Sequence, residues 1–146
     1  MTFETHVKLS IYRAFAETGR APAADAVASA LGVPTDELLA AYAKLRADRV
    51  LFLEPDGETI RMAPPFSGVT TQHRVRAGEV EYFANCGWDA LGIPAALRRE
   101  GTVLSRCEQS GEPLTLRVDE DGPERSTWIF HSLVRASQWW DDLVHT

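Results

Sequence analysis

Apolar positions in the first third of the chain recur with helical spacing. Over Glu4–Thr18 they fall largely on one face, which predicts an amphipathic helix ended by Gly19. The same reasoning predicts a second helix over Ala23–Leu31 and a third over Asp36–Asp48, with Thr35 as the N-cap of the third. The chain therefore begins with three consecutive helices.

Strand patterns follow these helices. Val50–Leu53 and Thr59–Met62 flank an Asp-Gly turn, which predicts a β-hairpin. Three helices and a hairpin are typical of a winged-helix-like module, and we assign it residues 1–66. The adjacent prolines in Ala63–Gly68 exclude helix and central strand alike, so this stretch is predicted to be the linker.

Residues 67–146 are predicted to form a small mixed α/β module with an antiparallel sheet. Its predicted strands are Thr71–Ala77, Thr102–Cys107, Leu114–Val118 and a last strand near Thr127–Val134. Its predicted helical pieces are a helix beginning at Cys86 after a lead-in over Gly78–Ala84, a short turn over Pro94–Arg99 and a closing helix over Ser137–Val144. The predicted fold class is α+β.

Composition and charge limit the possible partners. The chain has 146 residues, of which 45% are hydrophobic, enough to fill the core of one domain or two small modules. Its net charge of -6 repels polyanions, which argues against nonspecific binding to nucleic acid or an anionic membrane. Asp36 and Glu37 also occupy the helix start that a DNA-recognition helix would present to the major groove.

The sequence gives an expectation about location and redox state. No apolar run approaches the roughly 20 residues needed to span a bilayer, and the first residues lack the basic-then-apolar pattern of a secretion signal. We expect a cytoplasmic protein whose two cysteines are free.

Cys86 and Asp89 are the strongest candidates for chemistry. Residues three apart on a helix are surface neighbours, so a thiol and a carboxylate could serve one bound atom. With Asn85 as N-cap, free N-H groups of the first turn should lower the pKa of Cys86 and favour the thiolate, which attacks electrophiles or binds soft metals. The alternative is a buried cysteine that only packs.

The motif continues in a fixed order along the chain. After Cys86 and Asp89 come Pro94–Leu97, the predicted strand Thr102–Cys107, the turn Ser110–Pro113 and the predicted strand Leu114–Val118. Over roughly Tyr82–Val118 this series resembles the organomercurial (alkylmercury) lyases, and a helical N-terminal module also fits that family.

The resemblance implies roles for individual residues. Thiolate donation from Cys86 into mercury would enrich the bound carbon in electrons, and Asp89 would supply the proton that breaks the carbon-mercury bond. Cys107 would be structural, in agreement with the core position that its place at a strand end predicts. The family uses a second catalytic cysteine from a later strand. No cysteine follows Cys107 here, and the corresponding region, Ser126–His131, offers harder donors.

The leading hypothesis is thiolate-assisted protonolytic cleavage of a carbon-mercury bond, or related soft-electrophile chemistry. The substrate would be a small or organometallic molecule, no cofactor would be required, and an external thiol could replace the missing cysteine. One alternative is a noncatalytic protein that binds mercury or copper through Cys86, Asp89 and either His131 or Cys107. Another is a winged-helix regulator that senses a ligand through Cys86. The sequence makes no prediction of oligomeric state.

Overall fold

The N-terminal third of the protein is helical in the computed structural model, which describes residues 1–142. The three helices are α1 (Phe3–Thr18), α2 (Ala24–Leu31) and α3 (Thr35–Ala47), which confirms the predicted helices to within a residue at each end. Thr35 is not the N-cap as predicted. Pro34 takes that position because its own ring-constrained backbone, at φ -62° and ψ 149°, already supplies the extended cap conformation.

A small antiparallel sheet follows the helices. Its strands are β1 (Phe52–Leu53), β2 (Ile60–Ala63) and β3 (Phe66–Ser67), in that order, and the predicted hairpin is confirmed. The linker prediction for Ala63–Gly68 is wrong except at its prolines. Ala63 pairs with Phe66, so the two prolines form only the connection between β2 and β3.

Aromatic packing joins this sheet both to the helices and to the C-terminal half of the chain. The buried Phe66 ring stacks on Phe15 of α1, with 5.3 Å between the ring centroids, and lies 5.7 Å from the ring of Tyr82. The buried side chains on both sides of residue 66 belong to one hydrophobic cluster. The division into modules 1–66 and 67–146 stays a prediction.

A five-stranded antiparallel sheet forms the second half of the fold. Its strands are β4 (His73–Ala77), β5 (Val80–Ala84), β6 (Gly101–Arg106), β7 (Pro113–Asp119) and β8 (Gly122–Pro123), in the order β5-β4-β6-β7-β8. Helix α4 (Gly87–Leu97) packs against β4 to β7. The α+β class, with three N-terminal helices followed by antiparallel sheets and a helix, is confirmed.

Two predictions around α4 are wrong. The stretch Gly78–Ala84 is not merely a lead-in, because its apolar run forms β5 and pairs with β4 from Val80 to Ala84. The separate helical turn predicted over Pro94–Arg99 is the end of α4, which continues to Leu97 and stops where Arg98 adopts a left-handed conformation with φ 50°.

The C-terminal segment departs most from expectation. No strand forms over Thr127–Val134, since the sheet ends at the two-residue β8 and the chain then leaves it with Ile129 and Leu133 more than four-fifths exposed. Of the closing helix predicted over Ser137–Val144, the structure contains a 3-10 turn at Ala136–Gln138. Residues 143 and 144 of this prediction lie outside the described residues. None of the helices in the described part of the chain has both the length and the apolar character needed to cross a bilayer.

Candidate functional site

Cys86 stands at the junction between strand β5 and helix α4. Its backbone is extended, at φ -145° and ψ 175°, and it is itself the N-cap of the helix, so the prediction that Asn85 caps the helix is wrong by one residue. The Ala90 N-H donates to the Cys86 carbonyl over 3.0 Å and starts the helical hydrogen bonding. Strand β5 therefore leads directly into α4, and Cys86 lies at the first turn of that helix together with Asp89.

Asp89 is a half-buried carboxyl that is a weaker acid than an ordinary aspartate. Burial raises its pKa to about 6, and a hydrogen bond from the Cys86 thiol offsets part of that rise. A carboxyl with such a pKa takes up and releases a proton close to neutral pH. The spacing in the sequence predicted this contact between the two side chains.

The Cys86 thiol is shifted in the direction opposite to the sequence expectation. Burial, and then the charge of Asp89, raise its pKa to about 11, while the backbone N-H groups of Trp88 and Asp89 act against that rise. Those N-H groups form no close capping hydrogen bond to the sulfur. The prediction of a lowered pKa is therefore wrong, because desolvation and a neighbouring carboxylate outweigh the helix start.

Tyr12 of α1 and the two prolines between β2 and β3 lie near the part of α4 that carries Asp89. The Tyr12 hydroxyl donates to the Pro64 carbonyl over 2.9 Å, and its pKa is raised by burial and by the charge of Asp89. One turn further along α4, Gly92 faces Pro65, which lies 3.5 Å from the position of an added Cβ atom. Tyr12 is therefore close enough for the charge of Asp89 to act on its hydroxyl, and Pro65 lies against the same helix. Nothing in the local sequence around Tyr12 signals this proximity.

Cys107 occupies a turn rather than the core. Strand β6 ends at Arg106, and the next residue is half-buried, with its N-H donating to the Glu112 carbonyl over 2.9 Å. The Ser110 N-H donates to the Cys107 sulfur over 3.5 Å, and hydrogen bonds from Ser110 lower the pKa of this thiol. The core position expected for Cys107 is wrong because the strand stops one residue earlier than predicted. The expectation that both cysteines are free is confirmed.

His131 is exposed, and its neighbour Phe130 is the residue that reaches the start of α4. The Phe130 ring lies 5.7 Å from the Trp88 ring, at an interplanar angle of 50°. It also lies 3.8 Å from the position of a Cβ atom added to Gly87. Across residues 1–142, no three His, Cys, Asp or Glu side chains are grouped so that they could hold a metal ion, so the wider set of Cys86, Asp89, His131 and Cys107 is not assembled.

A buried histidine near the site was missed in the sequence. His73 Nδ1 lies 2.6 Å from Ser105 Oγ, and its Nε2 lies 3.4 Å from a Glu108 carboxylate oxygen. Burial lowers the pKa of His73, and Glu108 opposes that effect. The hydrogen bond between His73 and Ser105 joins β4 to β6. Because His73 pairs with Ala84, this bond lies next to the end of β5, two residues before Cys86. The only signal was the alternation of β4, which places His73 on the buried face with Val75.

The fold and the site together define an α+β protein with a thiol and a carboxyl of raised pKa in contact at one helix start. The alkylmercury lyase family model matches residues 66–146, which is more than half of the chain, and the protein belongs to this family. A similar solved structure is the crystal structure of the mercury-bound form of MerB2, at a TM-score of 0.59 and 21% identity, covering 84% of this chain and 68% of that one. At that identity the likeness shows the fold. No curated protein matches the chain.

Proposed function

We propose that the protein cleaves a carbon-mercury bond by protonolysis, with Cys86 binding the metal and Asp89 moving the proton. The observation that carries the proposal is the contact between the thiol and a carboxyl whose pKa is raised to about 6. Membership of the alkylmercury lyase family and the fold shared with a mercury-bound structure support it. The substrate would be an organomercurial carried as its complex with an external thiol.

The raised pKa of Cys86 suits this reaction. The thiol enters as S-H, and a soft metal displaces the proton when sulfur bonds to it, as metal binding to cysteine generally does. Asp89, largely ionised at neutral pH, accepts that proton through the hydrogen bond that already joins the two side chains.

The second step returns the proton to carbon. Sulfur donation into mercury makes the organic carbon electron-rich, and the Asp89 carboxylic acid protonates it as the carbon-mercury bond breaks. The hydrocarbon leaves, and mercury remains bound to the sulfurs of Cys86 and the external thiol. The proton that began on the Cys86 thiol ends on the hydrocarbon, and Asp89 returns to its ionised state.

An external thiol takes the place of a second protein cysteine in this scheme. No cysteine follows Cys107 in the chain, and Phe130 is the side chain that approaches the helix start from the region where the family's second cysteine was expected. A second sulfur from solution would provide the soft donor that Ser, Thr and His cannot. A second molecule of the external thiol would then bond to mercury in place of Cys86 and pass its proton to the Cys86 sulfur, so that mercury leaves as its complex with two external thiolates.

The N-terminal module acts in this scheme as a winged-helix-like scaffold rather than a DNA reader. Tyr12 and Pro65 face the side of α4 that carries Asp89, and Phe66 joins the small sheet to α1. The acidic start of α3 at Asp36 and Glu37 opposes contact with phosphates.

The test follows hydrocarbon release from an organomercurial in excess thiol. Wild-type protein should release the hydrocarbon with turnover, Cys86→Ser should release none above the buffer rate, and Cys107→Ser should match wild type. Release by Cys86→Ser at the wild-type rate would overturn the assignment. Mercury binding without hydrocarbon release by wild type would replace the enzyme with a noncatalytic mercury-binding protein.

A further inference from the structure

Two partly exposed aromatic rings flank the start of helix α4. Trp88 is 56% exposed and Phe130 is 43% exposed, and their centroids are 5.7 Å apart. Trp88 lies two residues after Cys86 on the helix, whereas Phe130 comes from the irregular segment beyond β8. Two segments distant in sequence thus bring aromatic surface to one place.

The geometry leaves aromatic surface uncovered at the helix start that carries Cys86. Gly87 follows Cys86 directly, and the Phe130 ring lies 3.8 Å from the position of a Cβ atom added to Gly87, so the ring lies next to the residue that follows the thiol. The rings meet at 50° rather than face to face, and each keeps exposed surface that another ring can contact. The sulfur of Cys86 would hold one end of a ligand there.

We propose that Trp88 and Phe130 form an aromatic subsite that binds the organic group of the substrate and favours an aryl group over a small alkyl group. The inference rests on the proposed function for the identity of the substrate, because the group bound to mercury would lie beside the sulfur that holds the metal. The subsite itself should act on any neutral electrophile that reacts with Cys86.

The backbone of this segment fits such a role. Residues 125–135 belong to no strand, and the apolar side chains of Ile129 and Leu133 in this stretch are 86% and 82% exposed. Phe130 is therefore the apolar residue of this stretch that has a defined aromatic partner on α4. Its neighbour Ile129 provides a matched control of similar position and apolar character.

The experiment measures the rate of modification of Cys86 in a Cys107→Ser background with N-phenylmaleimide and N-methylmaleimide at one pH. Each rate is divided by the rate of the same reagent with a small free thiol, which removes intrinsic reactivity. Phe130→Ala should lower the phenyl-to-methyl ratio about fivefold, the effect expected for one lost aromatic contact. Phe130→Leu should lower it in the same direction, and Ile129→Ala should leave it unchanged.

Several results would overturn the subsite. An unchanged ratio in Phe130→Ala, including an equal rise of both rates, would mean that Phe130 only covers the thiol or does not act on it. If Ile129→Ala lowered the phenyl-to-methyl ratio as much as Phe130→Ala does, the effect would come from any disturbance of the segment beyond β8 and not from the Phe130 ring. Because the assay requires no cleavage of a carbon-mercury bond, these results are independent of whether wild type proves to be a lyase.

Discussion

Replacing Asp89 with asparagine should change how the stability of the protein depends on pH. The folded protein raises the pKa of Asp89 from 3.8 to about 6 because the carboxyl is buried. The folded state therefore binds this proton more tightly than the unfolded chain does. Asp89 thus costs no stability at pH values below its unfolded pKa, and its penalty grows as the pH rises and is complete above the folded pKa.

The size of the effect follows from the shift. A difference of about two pKa units at about 1.4 kcal/mol per unit gives up to about 3 kcal/mol of lost stability above the folded pKa. Asparagine has nearly the same shape and does not titrate. Relative to wild type, Asp89→Asn should therefore gain up to about 3 kcal/mol in free energy of unfolding between about pH 4 and about pH 8.

Urea denaturation of both proteins across this range measures the effect, because the difference between them at each pH cancels all the other titrating groups. The exposed Asp141 provides the matched control. Asp141→Asn shows the effect of the same substitution at an exposed position. A difference from wild type that does not change with pH for Asp89→Asn would refute the burial of Asp89 as an ionisable group and remove the basis for its proton transfer.

Three further predictions concern the thiol of Cys107, the core residue Phe66 and the glycine that ends α1, Gly19. At neutral pH Cys107 should react with iodoacetamide faster than Cys86, since the pKa of Cys107 is lowered and that of Cys86 is raised to about 11; faster labelling of Cys107→Ser than of Cys86→Ser would contradict this. Phe66→Ala should cost about 3–5 kcal/mol in urea denaturation, and a loss below about 1 kcal/mol would deny its role in the core. Gly19→Ala should cost more than about 1 kcal/mol by the same measurement, because φ is 70° and the added Cβ would lie 2.2 Å from the Glu81 carbonyl oxygen; a neutral substitution would mean that α1 ends differently.

The elements that the sequence predicted well are those whose pattern is long and local. Helices α1 to α3 each repeat their apolar positions over several turns, so their positions followed from periodicity alone. Strand β5 was missed because a short apolar run beside a helix start is ambiguous by pattern and is decided by its pairing with β4. The strand expected over Thr127–Val134 failed for the converse reason, since an apolar run forms a strand only where a sheet edge accepts it.

The candidate site was predictable in its contacts but not in its acidity. The three-residue spacing of Cys86 and Asp89 brings the two side chains together on any helix that starts there. The direction of their pKa shifts depends on burial, which follows from the packing of α4 against strands distant from it in the chain. Reasoning from the local sequence considered the helix start, which lowers the pKa of Cys86, and omitted desolvation, which raises it by more.

The most direct test of the account separates metal binding from bond cleavage in Asp89→Asn. The variant is made in a Cys107→Ser background so that Cys86 is its one thiol among the described residues, it is mixed with an organomercurial and excess thiol, and its intact mass and the released hydrocarbon are both measured. The account predicts a protein that carries the mercury with its organic group still attached through Cys86 and that releases no hydrocarbon above the buffer rate. Release by Asp89→Asn at the wild-type rate would contradict the assignment of proton transfer to Asp89.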